Sequence, residues 1–178
     1  KLSALSRLAR LARQEGMHNL AYRAAKLIAA EKLKVVYPPQ NEATKMIAEI
    51  DAAAETIARG AREKLGSAFD QAVRDLLLAK PVYSGTDKDE AITAALAEAR
   101  KNPRFEEVER SLKPLLRQQD LFLKGLKLEL EGKFAAARPQ YKGVVVLSAD
   151  SEFGKRAAAG LKRVEEALKP PSPSSPVK

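Results

Sequence analysis

Cysteine and tryptophan are absent from the chain, and histidine occurs once, at His18. Without thiols there is no disulfide framework, no thiolate nucleophile and no cysteine metal site, and a single imidazole argues against a histidine-based metal or triad site. A thiol-free chain suits oxidising and reducing compartments equally, so composition leaves localisation open. Aromatic residues make up only 5% of the chain, so its core must be built from Leu, Ala, Ile and Val, a composition that favours helices. No apolar run approaches eighteen residues, and pieces such as Val144–Leu147 are the longest, so no segment reads as a membrane span. The motifs that carry a mechanism are missing too: there is no P-loop, no G-x-G-x-x-G, no G-x-S-x-G and no H-E-x-x-H. Acid pairs such as Glu106-Glu107 and Glu165-Glu166 point in different directions on a helix and read as solvated faces. The expectation is a chain with no catalytic residues, no metal and no cofactor.

What is present is helical periodicity from end to end. Residues 2–14 place Leu5, Leu8, Ala9 and Ala12 on one stripe, and Gly16 breaks the pattern. A second helix is expected from about His18 to Val36, ended by Tyr37-Pro38-Pro39. A third runs from Glu42 to Leu65, with Gly66-Ser67 closing it and Ser67 able to cap the next. Residues 68–79 form a fourth, stopping before Pro81, and PVYSGTDKD is a loop in which Asp87 or Asp89 caps a fifth helix over Glu90–Lys101. Arg104–Arg117 is a sixth, with Pro114 arguing for a kink or an early end. Asp120–Glu131, Phe134–Leu147 and Ser151–Leu168 bring the count to nine. VVVL at 144–147 is locally strand-like but ends a helical pattern. The last segment, KPPSPSSPVK, has little to bury and is expected to be a disordered tail, residues 169–178, beyond a folded domain of residues 1–168.

Short helices in pairs prompt a search for internal repeats. Residues 121–150 hold Leu121, Gly125, Leu128, Gly132, Phe134, Ala137, Tyr141 and Val144 in an order that resembles a tetratricopeptide repeat (TPR), a helix-turn-helix unit. Weaker copies contain Gly60, Phe69, Ala72, Leu76 and Ala79; then Leu96, Phe105, Val108 and Leu112; then Leu5, Ala9, Gly16, Ala21 and Ala25, with His18 where an aromatic belongs. Gly60 precedes Phe69 by the interval that separates Gly125 from Phe134. Pro139 departs from the family pattern, as does Ala149-Asp150 where the family usually has Pro, and the spacing between units is uneven. The resemblance implies an all-α fold of antiparallel helical hairpins stacked as a short right-handed solenoid with a C-terminal capping helix. A plain antiparallel bundle is the alternative that such Ala and Leu spacing also fits.

Lysine and arginine outnumber aspartate and glutamate by 32 to 23, a net charge of +9. The excess sits at the two ends, residues 1–37 holding eight basic and two acidic side chains. Arg7, Arg10 and Arg13 recur every three residues as a basic ridge beside the first apolar stripe, with Lys26, Lys32 and Lys34 near in sequence. The TPR resemblance implies a peptide groove on the first helix of each hairpin. Those helices offer Ile57, Ala58, Ala61, Ala94, Ala97, Phe122 and Leu126, an apolar surface with a basic entrance rather than a carboxylate clamp. Arg7, Arg10, Arg13, Phe122 and Leu126 are the expected partner contacts, with burial of Phe122 and Leu126 under the last helix as the competing reading. The function expected is a protein-protein interaction scaffold that binds a peptide or helix of a partner protein on its concave face. A basic nucleic-acid or anionic-surface binder, with only Tyr22 and Tyr37 near the ridge for base stacking, is the alternative. His18 is expected to pack as a structural ring.

Overall fold

The computed structural model describes residues 2–31 and 38–169, and every regular element among them is an α-helix. In chain order these are α1 (Leu2–Gln14), α2 (His18–Ala29), α3 (Pro38–Lys64), α4 (Phe69–Tyr83), α5 (Asp89–Ala99), α6 (Phe105–Leu130), α7 (Phe134–Leu147) and α8 (Glu152–Ala167). The class is all-α as expected, with eight helices among the described residues instead of nine. VVVL at 144–147 is the last turn of α7. Lys32, Lys34, Tyr37 and residues 170–178 of the expected tail lie outside the described residues.

Proline accounts for most of the differences in boundaries. Pro38-Pro39, read from sequence as a stop, opens α3, because an N–H missing from the first turn is one that has no intrahelical acceptor in any case. Pro81, Pro114 and Pro139 lie inside α4, α6 and α7, so none of the three ends its helix. All three rings are exposed, so the carbonyl that loses its donor faces water and can be solvated there. No break falls between Arg117 and Asp120, since Arg117, Gln118 and Gln119 are good helix formers and nothing among them caps an end. The helix expected to reach Val36 ends at Ala29, where the last turn tightens and the Glu31 N–H bonds the Ile28 carbonyl at 3.3 Å.

The expected caps also fall elsewhere. Ala68 and Lys88 precede α4 and α5 without a side-chain bond, so neither Ser67 nor Asp87 serves as a cap. Asp89 instead accepts from the Gly85 N–H at 3.2 Å and from the Lys80 ammonium at 2.6 Å. Ser151 is a true N-cap: its Oγ accepts from the Gly154 N–H at 2.9 Å while donating to Gln118 Oε1 at 2.8 Å.

The chain divides into two compact units, Lys1–Leu116 and Arg117–Lys178, with the division inside α6. In the first unit α1 packs on α2, α2 on α3, α3 on α4 and α5, and α4 on α5. Ala9 and Ala12 of α1 and Ala21, Ala24 and Ala25 of α2 are buried, so small side chains make up much of the interior of this pair, with Tyr22 and Ile28 of α2 beside them. The α3 stripe Ala43, Met46, Ile50, Ala54, Ala58 and Ala61 advances in steps of three and four and is wholly buried. In the second unit α7 and α8 pack on each other, and Tyr141 is fully buried, its hydroxyl donating to Glu129 at 2.5 Å. Glu129 is also held by Arg163, through Nε at 2.6 Å and Nη2 at 3.0 Å. The buried phenol therefore has its polar end satisfied by a carboxylate that is itself paired.

Candidate functional site

A cavity of about 430 Å³ opens in the first unit between α3 and α4. Its α3 wall is Thr56, Ile57, Gly60 and Ala61, one face of the helix at steps of three and four, and its α4 wall is Leu78, Ala79, Val82 and Tyr83. His18, at the start of α2, completes the lining; Lys64 and Asp75, which pair at 2.9 Å, make its charged edge. The size is within the range of natural ligand pockets, and the walls are mainly apolar with a few polar groups.

Gly60 is the residue that makes room. A Cβ built on it would meet nothing within 4 Å, so the space beside the α3 backbone is empty. Gly125, spaced identically from the phenylalanine that opens the following helix, has the opposite surroundings: its Cβ would lie 3.0 Å from the Tyr141 ring. Seven residues after Phe134 stands Tyr141, whereas seven after Phe69 stands the smaller Leu76. In the second unit an aromatic ring fills the place beside the glycine; in the first unit that place is left open.

His18 stacks on Tyr83 with ring centroids 4.9 Å apart and an interplanar angle of 27°, which places the imidazole as a packed ring, as the sequence led one to expect. Asn19 fixes the same corner by donating to the Pro81 carbonyl at 3.2 Å, a carbonyl contributed by the helix that a proline was expected to end. Burial lowers the His18 pKa, and the nearby Arg13 guanidinium lowers it further. Its Nδ1 is buried without a hydrogen-bond partner. Burial likewise raises the Tyr83 hydroxyl. At the other edge Asp75 is held twice, by Lys64 and by Gln71 Nε2 at 2.5 Å. Such a site can hold an apolar side chain against a flat aromatic wall while a paired charge marks the rim. Among the described residues no three His, Asp or Glu side chains converge in a way that would hold a metal ion.

The expected contacts fall in different places. Arg7 and Arg10 are exposed on α1 and have no partner among the described residues. Arg13 is committed to Glu49 of α3, so one guanidinium of the ridge of three is paired among the described residues. Lys26 is likewise engaged, by Asp87 at 2.8 Å. Phe122 and Leu126 are interior, 2% and 1% exposed. Phe122 has Tyr141 at 6.0 Å, Phe153 of α8 at 5.8 Å and the Arg156 guanidinium at 4.5 Å from its ring, so neither residue presents a surface to a partner. This is the burial under the last helix that the sequence allowed as the competing reading. Ile57 and Ala61 do line the cavity, Ala58 is buried behind them, and Ala94 and Ala97 are exposed on α5. Sequence reasoning did not single out Leu78, Val82 or Tyr83, nor Gly60 as a site residue. The legible signal was that Leu76 stands at the interval from Gly60 at which Tyr141 stands from Gly125.

Comparison with family models, with curated proteins and with solved structures found no match to this chain.

Proposed function

We propose that the chain is a non-catalytic interaction domain, and that the cavity between α3 and α4 receives an apolar side chain from a peptide or helix of a partner protein. The observation that carries this reading is the open space at Gly60, flanked by Ile57 on one helix and Val82 on the other. The neighbour-by-neighbour packing of α1 through α5 supports taking the first unit as TPR-like hairpins. In that reading Ile57 and Ala61, on the first helix of the second hairpin, belong to the concave face.

Filling the cavity tests it. Gly60→Leu places a side chain into free space on a helix face, so folding should be retained while the pocket is occupied. A peptide library displayed against the full chain should yield sequences with a large apolar anchor, and Gly60→Leu should abolish their binding with a melting temperature no lower than that of the parent chain. Binding that survives Gly60→Leu would overturn the assignment of this cavity.

The alternative of a nucleic-acid or anionic surface has the exposed Arg7 and Arg10 in its favour. Among the described residues Tyr22 offers it no stacking platform, being buried and hydrogen-bonded to Asp51 at 3.3 Å. Phosphate binding would weaken steeply with added salt, and capture of an apolar anchor would not.

A further inference from the structure

The first hairpin has a second opening, lined among the described residues by α1, by α2 and by Glu31, two residues past the end of α2. Ala4, Leu5 and Leu8 on α1 and Leu27 on α2 line a cleft of about 410 Å³, together with Glu31. Leu27 is 58% exposed, and Leu11, which continues the Ala4–Leu8 face, is 38% exposed. A row of leucines at helical spacing beside a cleft between two helices is the surface that an additional helix covers in a helical stack, because terminal repeats otherwise need a polar outer face.

Charge selects the occupant. Together α1 and α2 contain Arg7, Arg10, Arg13, Arg23 and Lys26 and no acidic residue. Glu49 and Asp87 take up Arg13 and Lys26. Arg7 and Arg10 remain without partners among the described residues, and Arg7 stands one helical turn before Leu11 at the edge of the apolar row. A second copy of the chain would bring the same cations to this flank and be repelled. Among the described residues Glu31 is the one carboxylate on the lining.

We infer that this flank docks an acidic amphipathic helix of a partner protein, its apolar stripe entering the cleft of Leu5, Leu8 and Leu27 and its carboxylates meeting Arg7 and Arg10. The site is separate from the α3–α4 cavity and does not depend on it. Binding combines burial of leucines that are now wetted with charge steering from the arginine edge.

A labelled synthetic helix of about five turns, with Leu at i, i+3, i+4 and i+7 and Glu on its remaining faces, is titrated against the full chain by fluorescence anisotropy. The same helix with Lys in place of Glu, and a single-stranded oligonucleotide, serve as the comparison probes. The Glu helix should bind and the Lys helix should not. Leu27→Asp should weaken binding about tenfold or more without loss of helicity, since that side chain is already exposed. Arg7→Glu with Arg10→Glu should reject the Glu helix and accept the Lys helix, and Gly60→Leu should change neither affinity. Failure of the Glu helix to bind, or its binding unaffected by Leu27→Asp, overturns the proposal. So does a dimer that Leu27→Asp dissolves, or oligonucleotide binding that depends on Arg7 and Arg10 but not on Leu27.

Discussion

Tyr141 occupies the middle of the second unit with glycine on two sides of its ring. A Cβ on Gly125 of α6 would stand 3.0 Å from the ring, and one on Gly160 of α8 would stand 2.6 Å from its Cζ. Neither side can give way easily, because the hydroxyl is tied to Glu129. Gly160→Ala is therefore expected to cost about 1–3 kcal/mol through overpacking, read as a lower urea midpoint. Gly60→Ala, with the same change in chemistry, should stabilise by about 0.5–1 kcal/mol because it meets no atom and removes a helix-interior glycine. Opposite signs for one substitution in two comparable places would come from neighbouring atoms rather than from propensity.

His18 sets the pH dependence near neutrality, being the one histidine of the chain. Its pKa is lowered in the folded state by burial and by Arg13, so between the folded value and the ordinary value of about 6.5 the unfolded chain binds more protons. Stability then rises with pH across that window and is lost as pH falls from about 6.5. Urea midpoints measured from pH 7 down to pH 5 should show this slope. His18→Phe, which keeps a ring on Tyr83 and gives up no hydrogen bond at Nδ1, should flatten it.

Among the elements, α6 shows how far local pattern goes. Its apolar spacing and its first residues were readable, and so was the presence of Pro114. Whether that proline ended the helix depended on which side its ring would face, and this is a property of the packed arrangement. Since the ring is exposed and the helix continues past it, Pro114→Ala should restore one backbone hydrogen bond and raise stability by about 1–3 kcal/mol. A thermal melt checks this, and a decrease would mean that the proline takes part in a contact. The opposite error occurred at Pro38-Pro39, where two prolines that look like a stop are a first turn. The candidate site was legible only in part, through Ile57 and Ala61. Val82 and Tyr83 went unread because they follow Pro81, in residues assigned to a loop.

At the scale of the whole molecule the two units each have their own interior, one built on the α3 stripe and the other on Tyr141 and Phe122. Local opening should follow that division. Gly160→Ala is expected to reduce amide protection in α7 and α8 in native-state hydrogen exchange while leaving α2 and α3 as they were. Equal loss in both would mean that the units open as one.

Period and composition alone determined that the described chain is helical and that its interiors are rich in alanine and branched aliphatics, with a few aromatic rings among them, because the 3.6-residue repeat is written into the order of side chains. They also determined the excess of positive charge on the first helices. Only the tertiary structure decided that Phe122 and Leu126 are interior, that among the described residues Arg13 is paired while Arg7 and Arg10 are not, and that the space beside Gly60 stays open. Exposure, pairing and empty volume depend on which atoms arrive from elsewhere in the chain, and local order does not contain that information.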